Sequence, residues 1–222
     1  MIIGNGILAN AFRSFDDENV IIFASGVSNS LETRASEFTR ELDLLNSTIE
    51  KYPNKKLIYF STCSIYDSSK TESHYVLHKL NMEKTISESC PEYAIFRIGN
   101  AVGKGGNTNT LINYLKNSIE SGKTIQIHSK AKRVFIGVDD VALFIHQNNK
   151  NIGNQIFNLV YPYQFSLKEV IAPLEKYLHK TGSYEMIDEG AYYDIDFEDS
   201  TKVFFKETSP EEYLKKLYNT YL

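Results

Sequence analysis

The sequence predicts an α/β fold, a parallel sheet covered by helices on both faces with a small C-terminal lobe. Short apolar segments alternate with segments of helical period, which is typical of parallel strands joined by helices. A glycine-rich turn follows the first apolar segment, and the 222 residues are 42% hydrophobic, enough for one core with a small appendage. The predicted strands are Met1–Ile3, Asn19–Ala24, Lys56–Phe60 and Tyr93–Arg97.

The first strand runs into Gly4-Asn5-Gly6-Ile7-Leu8-Ala9, a G-x-G-x-x-G/A pattern that opens a helix predicted to reach about Phe15. The first glycine permits a tight turn, and the second lets backbone approach a pyrophosphate. The small third residue lets the helix pack close to the strand. The alternative is an ordinary glycine turn. We expect a Rossmann-like dinucleotide site at Gly4, Gly6 and Ala9.

The second strand ends in a small, hydroxyl-rich loop that begins Ser25-Gly26. Loops at the carboxyl ends of parallel strands contact ligands, so Ser25 and Gly26 are candidate cofactor contacts; the alternative is a plain connection. The following segment predicts a helix over about Thr33–Tyr52, because apolar residues recur at helical spacing at Phe38, Leu42, Leu45 and Ile49.

The strand Lys56–Phe60 leads into a polar run, and a helix is predicted from Tyr75 to about Ser89. In that helix Tyr75 and Lys79 are four residues apart and project from one face. An ammonium close to a phenol lowers the phenol's pKa from its usual value of about 10, which suits acid-base chemistry. The hydroxyl of Thr62 is placed to hold a substrate oxygen against that phenol.

Six segments stand in the order of a known family: GNGILA, FASG, STCSIY, YVLHK, FRIGNAVG and RVFIGVDDVA. Along most of its length the chain resembles the extended short-chain dehydrogenase/reductase family, the nucleotide-sugar epimerases, dehydratases and ketoreductases. The resemblance implies that Thr62, Tyr75 and Lys79 are catalytic, and that Tyr75 and Lys79 also contact NAD or NADP. It implies no metal.

The same resemblance implies a nucleotide-sugar substrate, with its diphosphate contacted by Asn100 and Arg133 and with Ser64 in the substrate loop. In 4,6-dehydratases of the family an Asp-Glu pair follows the threonine, whereas this chain has Cys63-Ser64, so dehydration is not expected. Cys63 is interpreted as a packing residue. His74 and His78 match no family motif and are expected to face solvent.

The chain is shorter than the family pattern. Only about ten residues separate Ala9 from the second strand, where relatives have two further strands with helices. The acidic residue that usually follows the glycines by about 20 positions and signals NAD has no counterpart. Asp16, Asp17 and Glu18 are interpreted as turn residues, so the choice between NAD and NADP stays open.

The C-terminal part predicts helices over Asn109–Ser121 and Asp140–Asn148. Capping boxes at Ser166 and Ser209 open two more helices, which end near Leu178 and Leu217. We expect a dinucleotide-binding domain over residues 1–160, with a substrate-lobe insertion at about 100–130, and a small substrate-binding lobe over 161–222.

Composition narrows the cellular setting. The net charge is −4 with no basic run, which argues against nucleic acid as a partner. The N-terminus lacks a signal-peptide pattern, no segment is long and apolar enough for a membrane span, and the two cysteines lack metal-type spacing. From these features we expect a protein of the reducing cytoplasm.

The favoured function is NAD(P)-dependent reduction of a 4-keto sugar nucleotide, for which surface polysaccharide biosynthesis is the setting that the resemblance implies. The alternatives are a nucleotide-sugar 4-epimerase and a non-catalytic protein that binds a dinucleotide or sugar nucleotide. The resemblance also implies a homodimer formed through the helices Thr33–Tyr52 and Tyr75–Ser89.

Overall fold

The structure is a computed structural model that describes residues 1–15, 17–105, 107–108 and 110–222. Asp16 and Asn109, to which two of the predictions above refer, lie outside the described residues. The strands in chain order are β1 (Ile2–Ile3), β2 (Val20–Phe23), β3 (Lys56–Thr62), β4 (Tyr93–Ile98), β5 (Asn100–Val102), β6 (Thr124–His128), β7 (Lys132–Arg133), β8 (Phe135–Gly137), β9 (Gln155–Leu159), β10 (Phe165–Ser166) and β11 (Ser183–Ile187).

Helices connect and cover these strands, and a short 3-10 helix, Cys63–Tyr66, follows β3. The α-helices are α1 (Ile7–Ala11), α2 (Ala35–Lys51), α3 (His74–Ser89), α4 (Leu111–Ser121), α5 (Val138–Asn148), α6 (Leu167–Leu178), α7 (Asp199–Phe204) and α8 (Pro210–Tyr221). The first helix ends at Ala11, well before the predicted Phe15.

A parallel sheet of order β1-β2-β3-β4-β9 forms the centre of the molecule. Strand β3 is buried along its whole length, as expected for a parallel strand with helices on both faces. It continues two residues beyond the predicted end at Phe60, because Ser61 and Thr62 pair with Arg97 and Ile98 of β4. The expected α/β, Rossmann-like architecture is confirmed.

Alternate residues of the strands face two hydrophobic layers. On one face, Ile21 and Leu57 pack with Leu45 of α2 and Met82 of α3. On the other, Ile22 and Ile58 share a larger cluster with residues of α4, α5, α6 and α8. The larger cluster runs from Phe12 to Tyr218, so the expected division at residue 160 remains a prediction.

Strand β1 lies at the edge of the central sheet and pairs with β2. The expected place of the shortening, between α1 and β2, therefore coincides with an edge of the sheet, and it stays a prediction.

Three smaller strand pairs lie outside the central sheet: β5 with β8, β6 with β11, and β7 with β10. Strands β6 and β11 join segments 59 residues apart in sequence, Thr124 pairing with Ser183. Both predicted capping boxes are present: Ser166 and Glu169 cap α6, which runs through Pro173, and Ser209 and Glu212 cap α8. Within the described ranges, no helix has the length and apolar character that crossing a membrane requires.

Candidate active site at the end of the third strand

The candidate catalytic residues meet where β3 and α3 approach each other. Thr62 ends β3, and the Ser73 hydroxyl caps α3 by accepting a hydrogen bond from the Val76 amide at 3.3 Å. This cap begins the helix so that Tyr75 lies in its first turn and Lys79 one turn later. All three side chains are buried, and the Thr62 hydroxyl acts on Tyr75 in the direction that favours its phenolate.

A carboxylate that the sequence analysis did not single out contacts Lys79. Glu41 of α2 is fully buried, and its Oε1 accepts from Lys79 Nζ at 2.9 Å and from the Tyr59 hydroxyl at 2.7 Å. Its Oε2 accepts from the Val27 amide at 2.7 Å and lies 3.0 Å from His78 Nε2. Burial alone would raise the pKa of Glu41, but Lys79, His78 and Val27 outweigh it and hold that pKa well below its usual range.

Lys79 is therefore engaged in a closed triangle. Its Nζ also donates to the Tyr59 hydroxyl at 2.9 Å, and that hydroxyl in turn donates to Glu41. The Lys79 ammonium lies 5.0 Å from the centre of the Tyr59 ring and 6.0 Å from that of Tyr75. The lysine contacts the carboxylate of α2 more closely than the tyrosine it was expected to activate.

The expected effect of Lys79 on Tyr75 is reversed in this structure. Burial raises the pKa of Tyr75 to about 12, against the effect of the Thr62 hydroxyl and with a smaller contribution from the Glu41 carboxylate. The Lys79 ammonium donates to Glu41 at 2.9 Å, so its charge is compensated within hydrogen-bond distance. Tyr75 consequently holds its proton at neutral pH.

The expectation that His78 faces solvent is wrong, because the residue is 9% exposed. Its ring packs against Phe38 with 4.8 Å between ring centres, and it contacts Glu41 through Nε2. His78 Nε2 and Lys79 Nζ both contact the Glu41 carboxylate of α2.

The sequence did contain a signal for Glu41. It stands three residues after Phe38 and four before Leu45, on the face of the helix that the apolar spacing assigns to the core. A carboxylate on such a face needs a buried partner. The identity of that partner depends on how α2 packs on α3, which spacing along the chain does not give.

The two glycines of the first turn have different surroundings and different roles. Gly4 has φ +125°, and a Cβ there would lie 2.3 Å from the Ala24 carbonyl oxygen, so this position requires glycine. A Cβ on Gly6 would meet nothing within 4 Å, and α1 begins at the next residue. Ala9 is buried beneath the turn. An open glycine before a helix start is a fitting cradle for a dinucleotide phosphate.

The loop after β2 lies directly over the lysine. A Cβ on Gly26 would approach within 2.7 Å of Lys79 Nζ and 2.9 Å of Glu41 Oε1. Ser25 precedes it and is partly buried. The structure thus brings Gly26 close to the Tyr75–Lys79 pair. The turn at Gly4 contacts the end of β2, the strand that this loop follows.

The candidate substrate residues Asn100 and Arg133 lie on β5 and β7. Asn100, on β5, donates from Nδ2 to the Val134 carbonyl at 3.0 Å. It lines a small cleft together with Ile7 at the start of α1. Arg133 Nη1 donates to the Ala191 carbonyl at 2.9 Å, and its guanidinium lies 5.9 Å from the centre of the Tyr193 ring.

Tyr193 also contacts the loop that follows β3. It forms an isolated bridge with Asp67, which is buried, and the Ser64 side chain opposes burial in setting the pKa of the Tyr193 phenol. One oxygen of Asp67, Oδ2, has no hydrogen-bond partner within the described part of the chain. Cys63 is buried beside Val134, and burial raises the pKa of its thiol, in agreement with a packing role.

Comparison with known proteins gives a family match over residues 6–159, to the NAD dependent epimerase/dehydratase family. A search of curated proteins gives no match. dTDP-glucose 4,6-dehydratase from Bacillus anthracis, in complex with NAD, is similar in structure with a TM-score of 0.70 at 18% identity, covering 96% of this chain and 74% of that chain.

Two further solved structures share the fold at low identity. UDP-N-acetylglucosamine 4-epimerase from Methanobrevibacter ruminantium, in complex with UDP-N-acetylmuramic acid, gives a TM-score of 0.70 at 16% identity over 95% of this chain and 78% of that chain. RMD from Pseudomonas aeruginosa, complexed with NADPH, gives 0.65 at 14% identity over 90% and 79%. The family match covers well over half of the 222 residues, and by that match the chain belongs to the NAD dependent epimerase/dehydratase family.

Proposed function

We propose that the protein is an NAD(P)-dependent reductase of a nucleotide-activated 4-keto sugar. Family membership supports the broader class, and the structural neighbours include proteins solved with NAD, NADPH and a UDP-sugar. What supports the choice of reaction is the burial of Tyr75 beside Thr62, which raises the pKa of the phenol to about 12 and so favours its proton-donating form. Carbonyl reduction needs a proton donor at the oxygen, whereas oxidation of a hydroxyl, with which a 4-epimerase begins, needs a base.

The residues present fit a dinucleotide at the carboxyl end of β1. The turn at Gly4 and Gly6 would hold its phosphates, Ala9 lets α1 pack beneath them, and Ser25, Gly26 and Tyr75 would contact the rest of the dinucleotide. Lys79 is committed to Glu41 in this structure, so its contact with the nicotinamide ribose is part of the proposal. When bound, the nicotinamide supplies the hydride.

Tyr75 and Thr62 carry out the proton chemistry. Both hydroxyls hydrogen-bond the keto oxygen, which polarises the carbonyl and fixes its orientation. As the C4–H bond forms, the Tyr75 O–H bond breaks and its proton passes to the oxygen, so that ketone, hydride and proton give the alcohol. The Tyr75 phenolate then regains a proton before the next turnover.

The substrate-side residues recognise the rest of the sugar nucleotide. Arg133 and Asn100 would contact the diphosphate, and a planar guanidinium suits such a group. The unpaired Asp67 Oδ2 offers an acceptor for a sugar hydroxyl, and Ser64 lies beside it against Tyr193.

The test begins with calorimetric titration of the purified protein with NADH and with NADPH, after absorbance shows whether cofactor co-purifies. A panel of 4-keto sugar nucleotides is then added with the cofactor that binds, and its oxidation is followed at the nicotinamide absorbance band. Stoichiometric oxidation with formation of the alcohol is expected.

Two other results would replace the proposal. Interconversion of C4 epimers without net consumption of cofactor would make the protein an epimerase. Failure to bind either cofactor would mean that the short sheet lacks the site, and a non-catalytic binding function would lead.

We also propose that the protein forms a homodimer through α2 and α3. The supporting observation is that α3 exposes two leucines, Leu77 and Leu80, which are 48% and 39% accessible. Exposed leucines close together on one helix favour a protein contact.

A further inference from the structure

Whether Tyr75 keeps a proton that it can donate depends on the charges of the side chains around it. Lys79 and Glu41 carry opposite charges with 2.9 Å between Nζ and Oε1, and both are almost completely inaccessible to water. The carboxylate accepts a hydrogen bond from the ammonium, and its charge adds to burial in raising the pKa of Tyr75. An ammonium alone at the same place would favour the phenolate.

The groups that face this arrangement come from each surrounding element. Helix α2 contributes Glu41, and β2 is followed by the Val27 amide, which binds that carboxylate. Among the described residues, the other titratable or charged groups around it are Tyr59 on β3, Cys63 after it, and His78, Lys79 and Glu83 on α3, where Glu83 contributes to raising the pKa of Tyr59. Among these, Glu41 is the group that contacts Lys79, Tyr59 and His78 together.

We propose that Glu41 is a positioning residue that fixes Lys79 and cancels its charge, and thereby keeps Tyr75 as a phenol ready to donate a proton. The proposal rests on the proposed reductase function for its biological meaning, but the charge arrangement itself is independent of any substrate. Glu41 never touches the reacting atoms and acts through Lys79.

The decisive variant is Glu41→Gln. Glutamine has nearly the shape of glutamate and keeps one oxygen acceptor, but it carries no charge. The Lys79 ammonium then has no compensating carboxylate near Tyr75, so the phenolate becomes more favourable. We expect the pKa of Tyr75 to fall by about one unit or more.

The measurement is a pH titration by NMR of protein labelled with ¹³C at tyrosine Cζ, whose chemical shift reports ionisation of the phenol. The Tyr75→Phe variant assigns the Tyr75 signal among the 15 tyrosines. No cofactor or substrate is added. A Tyr75 pKa in Glu41→Gln equal to or higher than that of the wild type would overturn the proposal.

The matched control is Glu83→Gln. Glu83 is also a buried carboxylate, 4% exposed, with an ion pair to Arg97 and a hydrogen bond from Ser61. Its loss removes a buried charge from the next turn of the same helix without freeing Lys79. It is expected to leave the Tyr75 titration in place, and an equal shift in both variants would show a general effect of destabilisation.

A double variant keeps the test informative if Glu41→Gln alone does not fold. Glu41→Gln with Lys79→Gln leaves two neutral side chains that can still hydrogen-bond, so no uncompensated charge is buried. The proposal expects its Tyr75 pKa to lie close to the wild-type value. A fall in the double variant would contradict it, since no ammonium remains to cause one.

The same variants separate this inference from the proposed function. If Glu41→Gln lowers the Tyr75 pKa but no keto sugar nucleotide is reduced, the positioning role stands and the reductase proposal fails. If reduction occurs, the alkaline limb of the kcat profile of Glu41→Gln is expected at lower pH than that of the wild type. If neither the alkaline limb of the kcat profile nor the Tyr75 titration changes in Glu41→Gln, the positioning role of Glu41 fails and the reductase proposal stands.

Discussion

Glu83 of α3 and Arg97 of β4 form a two-point ion pair, with Arg97 Nη2 2.6 Å from Oε2 and Nε 2.9 Å from Oε1. Arg97 also donates to the Tyr66 hydroxyl at 2.9 Å, and the Ser61 hydroxyl donates to Glu83 at 2.5 Å. Because Glu83 is one turn after Lys79, this pair fixes the helix that carries the candidate catalytic residues to the central sheet.

Glu83→Gln is expected to lower the free energy of unfolding by roughly 3 to 5 kcal/mol, since it leaves the Arg97 guanidinium partly buried without its partner. Glu88→Gln, on the same helix, is the control, because the Lys84–Glu88 pair is exposed and 3.9 Å long. That change should cost at most about 1 kcal/mol. Urea denaturation measures both, and equal losses would show that the buried pair contributes no more than a surface one.

Substitution of the two glycines of the first turn should have different effects on stability. Gly4→Ala places a Cβ against the Ala24 carbonyl at positive φ, and we expect a loss of roughly 1 to 3 kcal/mol of stability. Gly6→Ala has open space and ordinary backbone angles, so its stability should stay within about 0.5 kcal/mol of the wild type.

Dinucleotide binding separates the two variants further. Gly6→Ala is expected to weaken binding of NADH or NADPH in calorimetry, because the new methyl group occupies the side on which phosphate approaches. Unchanged affinity in Gly6→Ala would mean that the dinucleotide does not approach this turn.

Patterns along the chain were sufficient for the elements that depend on local chemistry. The spacing of Phe38, Leu42, Leu45 and Ile49 predicted α2 to within two residues at each end, and the capping boxes at Ser166 and Ser209 are present as predicted. The separations within the glycine pattern likewise placed β1 and the start of α1, although α1 ends at Ala11 and not near Phe15.

Elements that depend on distant partners were not predicted. Strand β11 is largely exposed and is defined by pairing with β6, and β9 contains Gln155 and Asn158 beside its apolar residues. The contacts of Glu41 could not be predicted from the sequence for the same reason. They come from α2, α3, β3 and the loop after β2, which only the folded chain brings together.

Tyr75→Phe tests the proton donor directly. Removing the hydroxyl while keeping the ring should lower kcat for keto reduction by about 10²- to 10⁴-fold. Tyr114→Phe is the control, because Tyr114 is 39% exposed on α4 and away from the predicted site. Steady-state kinetics with the cofactor that binds measure both, and an active Tyr75→Phe would assign the proton to another group.

Acid should weaken the fold through Glu41. Its pKa is lowered from 4.5 in the folded protein, so the unfolded chain binds more protons as the pH falls below about 4.5. The stability that the charged carboxylate contributes is complete above that pH and is lost progressively below it. Glu41→Gln lacks this contribution at every pH.

The difference in stability between wild type and Glu41→Gln is therefore expected to be roughly 3 to 5 kcal/mol at neutral pH and to shrink as the pH falls below about 4.5. Urea denaturation at a series of pH values measures it. A difference that stays constant into the acid range would mean that Glu41 is not ionised in the folded protein.

The proposed dimer predicts that a charge on the exposed face of α3 separates the subunits. Leu80→Glu is expected to convert the protein to a monomer in light scattering coupled to gel filtration, because a carboxylate buried between two copies would lose its hydration without a partner. Leu143→Glu is the control, since Leu143 is 47% exposed on α5. Dissociation by Leu143→Glu alone would move the interface to α5, and a wild-type monomer would remove the proposal.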